Sequence, residues 1–183
     1  EELYRECGLS EPAARSHAFL AEVAANALLF PPLGTPSDLA TLFKRHLAEA
    51  DKLYEQRRAE LELDRAEDTL AARQELAKQT ERLTELALRV FLRDAPDREA
   101  FWSWLQKAKA RSISDALASR TAGKGSLSLP DARRTTSDMP RDVTLVDWCI
   151  AAGQVHVVAV SGNDGPTFEK IPISQADLTD WID

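Results

Sequence analysis

Residues Val146–Val160 read VDWCIAAGQVHVVAV, two runs rich in β-branched and apolar residues on either side of a small Ala-Gly pair. This pattern predicts a β-hairpin that turns at Ala152 and Gly153. A fold about these two residues places Cys149 opposite His156 on neighbouring strands. Directly opposed side chains have Cβ atoms about 5 Å apart, so the hairpin brings a thiol and an imidazole together.

The Cys149–His156 pair has two interpretations. A thiol beside an imidazole is the arrangement of cysteine nucleophiles, and on that hypothesis the chain is itself a small thiol enzyme. The other interpretation is a packing contact across the hairpin. Both residues lie in the middle of a strand, where no loop offers a substrate site, and free cysteine is among the most buried side chains. We therefore expect a packing contact.

The hairpin opens a longer β-rich segment. A second turn precedes a third predicted strand, Thr167–Ile171, which Pro172 ends or confines to a sheet edge. Ser174 and Asp177 have the spacing of a capping box, which predicts a helix start. Three strands and a helix start cannot cover both faces of a sheet. We therefore expect residues 143–183 to be the first part of a larger domain, with apolar surface exposed in this piece.

The preceding residues, 1–120, are predicted to be helical. A helix begins at Ser10 and continues without a breaker to Phe30. Residues 37–95 contain neither Gly nor Pro, and their apolar positions largely follow steps of three and four. This length predicts either a helical hairpin bent within 57–69 or a projecting coiled coil. The 13 acidic and 11 basic residues of 37–95 are interleaved, as is typical of a solvated helix face.

A last helix is predicted from Ala95-Pro96-Asp97 onward. Four of its apolar residues share one face at helical spacing, which indicates packing into a neighbouring helix pair: Phe101, Trp104, Leu105 and Ala108. Residues 121–142 then interrupt the pattern with Gly, Ser, Thr and Pro, and we interpret them as a linker or exposed loop. Within this loop Arg133 and Arg134 form a dibasic pair at which a trypsin-like or arginine-specific protease would cut. Incidental charge on a solvated loop is the simpler interpretation.

Charge and cysteine content exclude several classes of function. The 183-residue chain has a net charge of −7, and residues 143–183 hold six acidic side chains and one basic one. Such a segment repels phosphate backbones, so we expect it to make no nucleic-acid contact. The two cysteines, Cys7 and Cys149, have neither CxxC nor Cys/His ligand spacing. We expect no disulfide framework, no structural zinc and no cofactor, and a reducing cytoplasm as the location.

Membrane and targeting segments are not predicted either. The longest apolar stretch, Val23–Leu33, contains prolines and is too short to span a bilayer. The acidic residues that precede it do not fit a signal peptide. The single methionine is Met139 and the chain does not begin with one, so we expect the sequence to be a fragment.

Two stretches carry motifs in a distinctive order. Ala100–Ala118, AFWSWLQKAKARSISDALA, has an aromatic-rich start and a Lys-Ala-Arg centre at 109–111. Asp142–Ile182 has a strand with Leu-Val followed by an acid and an aromatic, a short turn, a Val-rich strand, an Asp-Gly turn and a strand that reaches a serine-capped helix. These stretches resemble the last repeat helix and the opening β-meander of the CHAT peptidases, caspase-like domains that follow tetratricopeptide-type helical repeats.

The resemblance implies an α+β chain, in which a helical repeat-like or coiled-coil region is followed by the opening meander of a caspase-like α/β domain. It also implies a cysteine peptidase, in which a histidine deprotonates a cysteine that attacks the scissile carbonyl. In that family Gly follows the histidine and Ala precedes the cysteine. The three histidines and two cysteines of this chain have other neighbours. The resemblance therefore assigns no catalytic residue here, and we expect both beyond Asp183.

Two function classes follow. The first is the N-terminal regulatory and structural part of a CHAT-type cysteine endopeptidase, whose helices receive a protein partner or signal and whose sheet joins the remainder of the peptidase domain. The second is a non-catalytic helical scaffold or adaptor that mediates protein–protein interaction.

Overall fold

The computed structural model describes residues 10–30, 38–63, 69–93, 97–121, 140, 142–161, 166–174 and 177. In these residues four helices are followed by three strands, so the predicted α+β class, with helices before strands, is confirmed. The elements are α1 Ser10–Leu29, α2 Leu39–Leu63, α3 Thr69–Arg93, α4 Arg98–Thr121, β1 Thr144–Ala151, β2 Gln154–Ser161 and β3 Thr167–Ser174.

The long stretch without Gly or Pro forms two helices. Helix α2 ends at Leu63 and α3 begins at Thr69, which places the change of direction inside the predicted interval, although residues 64–68 lie outside the described ones. Arg73 on α3 donates a hydrogen bond to the carbonyl of Leu61 on α2. The hairpin alternative is therefore confirmed, and the single projecting coiled coil is wrong.

Helices α1 and α2 make the most extensive helix contact of the fold. The face of α1 that meets α2 contains Ala14, Ala21 and Ala25, all fully buried. Such small side chains allow the helix axes to approach closely. The ring of Phe43, on α2, packs edge-on against Phe91 of α3, with 5.8 Å between ring centroids. The helices thus enclose an apolar core.

Helix α4 has a well-formed start. The Asp97 carboxylate accepts a hydrogen bond of 3.0 Å from the N–H of Ala100, as an N-cap residue does. Its other oxygen lies 2.6 Å from Nζ of Lys44 on α2. The bond from Lys44 lowers the pKa of Asp97, burial opposes the shift, and the bond from Ala100 lowers the pKa further.

The three strands form an antiparallel sheet in the order β1-β2-β3. Cys149 pairs with His156, as predicted. The turn has positive φ at both central residues, 52° at Ala152 and 72° at Gly153, which is the type I′ geometry of a two-residue hairpin. Strand β3 continues past the predicted end at Ile171 to Ser174 and includes Pro172. Within the described strands β3 is an edge, which is where a sheet tolerates proline.

One face of the sheet packs against α4. The Phe101 and Phe168 rings meet edge to face, with 4.8 Å between centroids, and Val158 and Val160 are fully buried. Helix α4 packs against the neighbouring helix α3, in keeping with its predicted helix contact, and Phe101 in addition contacts the sheet, which the sequence pattern does not indicate. The opposite face leaves Val146 and other apolar side chains of β1 exposed.

Several predictions fall on residues that the structure does not describe. Arg133 and Arg134, most of the predicted linker, Cys7 and residues 178–183 all lie outside the described ones. The predicted capping box is partly described. The Ser174 N–H donates to the Asp177 carboxylate at 3.1 Å, and the Asp177 N–H donates to Ser174 Oγ at 3.1 Å. These reciprocal bonds confirm the predicted capping box, and the rest of the helix that it would begin lies outside the described residues.

Candidate functional site at the junction of α4 and the sheet

The paired positions of Cys149 and His156 do not make a nucleophile. Cys149 is buried, and burial raises the pKa of its thiol to about 11, against a smaller opposing effect of Lys109. The thiolate is the reactive form of cysteine, so this side chain is unreactive near neutral pH. Burial lowers the pKa of His156, which also hydrogen-bonds to the backbone of Ala151. The geometry supports the packing interpretation of the pair.

Charged residues of α4 join the helix to the sheet. Lys109 forms an ion pair with Asp147 of β1, and its Nζ lies 3.2 Å from the carbonyl oxygen of Trp148. Gln106, about one turn earlier, donates a 3.2 Å hydrogen bond to the other oxygen of Asp147. The Trp148 N–H also donates to Asp147, at 2.8 Å. The Asp147 carboxylate therefore collects donors from both α4 and its own strand.

A second set of ion pairs joins α4 to α2. Arg111 is 4% exposed and binds Asp51, while its Nε donates to Glu55 at 2.7 Å. Lys107 Nζ lies 3.0 Å from the second oxygen of Asp51. Burial acts to lower the pKa of Arg111, but the two carboxylates outweigh it and raise the pKa. The guanidinium therefore stays charged inside the fold.

The two sets of ion pairs leave α4 in different directions. Residues two positions apart on an α-helix point about 200° away from each other. Lys109 therefore reaches the sheet while Arg111 reaches α2. We call Lys109, Arg111, Asp147, Asp51 and Glu55 the junction charges. They connect α2, α4 and β1, so a change in the position of α2 relative to α4 acts through these ion pairs on the contact between α4 and the sheet.

A cleft adjoins the junction. It has a volume of about 590 Å³ and lies between α3, α4 and the hairpin turn. Arg111 lines it, and its Nη1 has no hydrogen-bond partner among the described residues. Thr80 and Thr84 of α3 also line it, but their hydroxyls bond to carbonyls of their own helix. Arg111 is therefore the side chain of the junction that touches both the ion pairs and the cleft.

A separate groove runs between α1 and α3. Its volume is about 520 Å³, and the buried Tyr54 ring is part of its lining. Phe19 of α1 borders it and is 64% exposed. The ion pair of Arg82 with Glu22, 2.8 Å long, bridges the two helices. Val23 of α1 and Phe30, directly after α1, are also exposed, so this side of the helices presents apolar surface.

Two features of this arrangement are not predicted from the sequence. The charges of 37–95 are typical of a solvated face, whereas Asp51 is buried against Arg111. The sequence pattern also does not pair His17 of α1 with His46 of α2, whose Nδ1 atoms lie 3.0 Å apart. A signal for the first feature is present, because Lys109 and Arg111 belong to the Lys-Ala-Arg motif. Their acidic partners are distant in the sequence.

No cluster of three or more metal-ligating side chains occurs among the residues that the structure describes. None of the described helices is both long enough and apolar enough to cross a membrane. Comparison of the chain with protein-family models, with curated proteins and with solved structures finds no match.

Proposed function

We propose that this chain is the N-terminal regulatory and structural part of a caspase-like cysteine endopeptidase of the CHAT type. In this proposal the helices receive a protein partner or signal in the cytoplasm, and the sheet is the start of the peptidase domain. The catalytic histidine and cysteine belong to a part of the protein outside this chain. The Cys149–His156 pair takes no part in peptide hydrolysis.

One observation supports this proposal most directly. The two stretches that carry the family resemblance contact each other through their motif residues. Lys109, from the Lys-Ala-Arg centre, binds Asp147, the acid of the Leu-Val-acid-aromatic strand. Arg111, from the same centre, binds α2. The motif residues thus form the connection through which a helical region would act on a peptidase sheet.

The mechanism of regulation follows from the junction charges. A partner that shifts α2 changes the position of Arg111, because the two are held by Asp51 and Glu55. Helix α4 moves with Arg111, and Lys109 then changes its contact with Asp147 and Trp148. The first strand of the peptidase sheet is displaced or released. This proposal is a coupling between two sites through one packed helix.

The test uses the natural full-length protein and the present chain side by side. We expect the full-length protein to cleave peptide substrates and to be labelled by a peptide ketone that alkylates catalytic cysteines. We expect residues 1–183 alone to do neither. Arg111→Met in the full-length protein should alter the cleavage rate. Arg57→Met, which breaks a partly exposed pair with Glu60 on α2, is the matched control and should leave it unchanged.

A second candidate function, the helical adaptor, is favoured by the groove between α1 and α3. Exposed Phe19 and Val23 on α1, with Phe30 directly after it, resemble the apolar surfaces by which helical scaffolds hold partners. Absence of cleavage and of ketone labelling in the full-length protein would contradict the peptidase proposal and favour the adaptor. A His-Gly after an apolar strand and a later Ala-Cys in the full-length sequence would favour the peptidase.

A further inference from the structure

The two edges of the described sheet differ in their protection. Strand β3 contains Pro172, which lacks an N–H, together with Glu169 and Lys170. Proline and charged residues are the usual means by which an edge strand avoids pairing with other strands. Strand β1 has no proline and no lysine along its eight residues, and its one charged residue is Asp147. The edge of β1 is therefore chemically suited to accept another strand.

The hairpin turn fixes which groups of β1 point outward. In a two-residue hairpin the residues flanking the turn exchange hydrogen bonds, and every second residue after them does the same. Ala151 and Cys149 thus bond to β2, whereas Ile150, Trp148 and Val146 direct their N–H and C=O groups to the outer edge. Within the described residues no hydrogen bond reaches these outward groups of Ile150 or Val146.

Trp148, in the middle of this edge, is different. Its outward N–H donates to the Asp147 carboxylate at 2.8 Å, and its outward C=O accepts from Lys109 at 3.2 Å. The ion pair between Lys109 and Asp147 holds both capping groups in place. We call this arrangement the edge cap. The edge cap occupies the N–H and C=O groups of Trp148, with which a fourth strand would hydrogen-bond at the centre of this edge.

We propose that the outer edge of β1 pairs with β1 of a second copy of this chain, and that the edge cap opposes this pairing. An antiparallel pairing centred on Trp148 places Val146 opposite Ile150 of the second copy. It places Asp147 opposite Cys149, so the two like-charged Asp147 side chains do not face each other. A pairing centred on Asp147 would put them opposite each other and is unfavourable.

The apolar face of β1 supports the same occupant. Val146 is 66% exposed and Trp148 is 59% exposed, on the face of the sheet that α4 does not cover. Pairing about Trp148 joins this apolar strip to its copy and makes one continuous surface, with each apolar side chain next to another. The self-complementary order of Val146, Trp148 and Ile150 is what favours a second copy over an unrelated strand. This inference does not depend on the peptidase proposal.

The test is the oligomeric state of the 183-residue chain, measured by sedimentation over a range of protein concentrations. Lys109→Met keeps the apolar stem and removes the capping ammonium. We expect it to associate about fivefold more tightly than the wild type, the factor that corresponds to loss of one partly exposed ion pair. Lys107→Met is the matched control, because it changes the same helix but removes contacts with Asp51 and the Trp104 ring, neither of which belongs to the edge cap.

A second variant identifies the edge. Val146→Pro removes an outward N–H and no bond to β2, so the double variant with Lys109→Met should return to a monomer. In the Lys109→Met dimer the amides of Val146 and Ile150 should gain protection from hydrogen exchange as concentration rises. If Lys109→Met does not fold, Asp147→Asn serves in its place, since it removes the charge that holds Lys109.

Three results would overturn the proposal. The first is a Lys109→Met or Asp147→Asn chain that stays as monomeric as the wild type. The second is association that survives Val146→Pro, because it would use another surface. The third is strong protection of the Val146 and Ile150 amides in dilute monomer, because the edge would then be covered from within the same chain.

Discussion

Helix α4 has two sides whose contacts differ in kind. Towards α2, Arg111 is buried and bound to two carboxylates, with Lys107 supporting one of them. Towards the sheet, Lys109 is partly exposed and binds the single carboxylate of Asp147. Charge pairs in a buried setting are costly to break, whereas partly exposed pairs contribute little to stability. The helical side is thus held firmly, and the sheet side is held by a weaker charge contact.

The weaker charge contact towards the sheet is supplemented by apolar packing. The Phe101 and Phe168 rings meet with an interplanar angle of 89°, the edge-to-face arrangement that aromatic pairs prefer. Helix α4 is thus oriented relative to α2 by buried charge pairs and is held on the sheet by an aromatic contact. A signal that alters the helices would therefore reach the sheet through a contact that can be released.

The largest expected effect is at Arg111. Arg111→Met leaves Glu55 and Asp51 without their buried partner, and we expect the free energy of unfolding to fall by about 3–5 kcal/mol. Urea denaturation followed by circular dichroism measures this change. Lys107→Met leaves Asp51 with its guanidinium and should cost far less. If Arg111→Met lowered the free energy of unfolding no more than Lys107→Met does, the buried charge pairs would not hold α4 to α2 more firmly than α4 is held to the sheet.

The aromatic contact gives the next largest effect. Phe168 is partly buried and packs on Phe101, so Phe168→Ala should lower the free energy of unfolding by about 2 kcal/mol, the size of one buried apolar side chain. The measurement is the same urea titration. Lys170→Ala, two residues along β3 on the same face, is the control and should change stability by less than about 0.5 kcal/mol. Equal effects of the two variants would contradict an aromatic anchor.

The charge contact to the sheet should be smaller still. Lys109→Met is expected to change the free energy of unfolding by less than about 1 kcal/mol, because the ammonium is partly exposed and its partner keeps other donors. The denaturation should be measured at low protein concentration, so that association does not add stability. A loss as large as that of Arg111→Met would show that the sheet is held as firmly as α2.

The sequence predicted the features that depend on neighbouring residues. The hairpin register follows from Ala152 and Gly153, which adopt the positive φ that a type I′ turn needs. The helix start at Asp97 and the capping box at Ser174 are equally local. The apolar spacing slips within 57–69, which predicts the break between α2 and α3. These are short-range effects that a sequence pattern contains directly.

The junction charges could not be predicted in the same way. Arg111 and Asp51 are 60 positions apart, and nothing in the interleaved charges of α2 distinguishes Asp51 from its exposed neighbours. Only the tertiary arrangement, in which α4 packs against α3 and its basic side chains reach across to α2, selects Asp51. Lys109 and Asp147 belong to motifs that the sequence shows, but their contact depends on how α4 packs on the sheet. Tertiary structure therefore decided which of many ordinary charges form the site.

The smallest expected effect is a pH dependence confined to the sheet side. Burial lowers the pKa of His156, and Lys170 lowers it further. At pH values between the lowered pKa of folded His156 and its ordinary value of about 6.5, the unfolded chain binds more protons than the folded chain. The contribution of neutral His156 to stability is therefore complete above a pH of about 6.5 and falls as the pH is lowered towards the pKa of the folded state. The buried Cys149 on the paired strand stays uncharged throughout this range, because its pKa is about 11.

We expect the pH change to act on β2 before α2. Lowering the pH from 7 to 5.5 should accelerate amide exchange in β2 by less than about fivefold, after correction for the intrinsic pH dependence of exchange. The pKa of Asp97 is also lowered, but the stability that Asp97 contributes is lost only when the pH falls into the ordinary titration range of carboxylates or below it. His156→Gln removes the titrating group and should abolish the change in β2. A pH response of β2 that persists in His156→Gln would contradict this assignment.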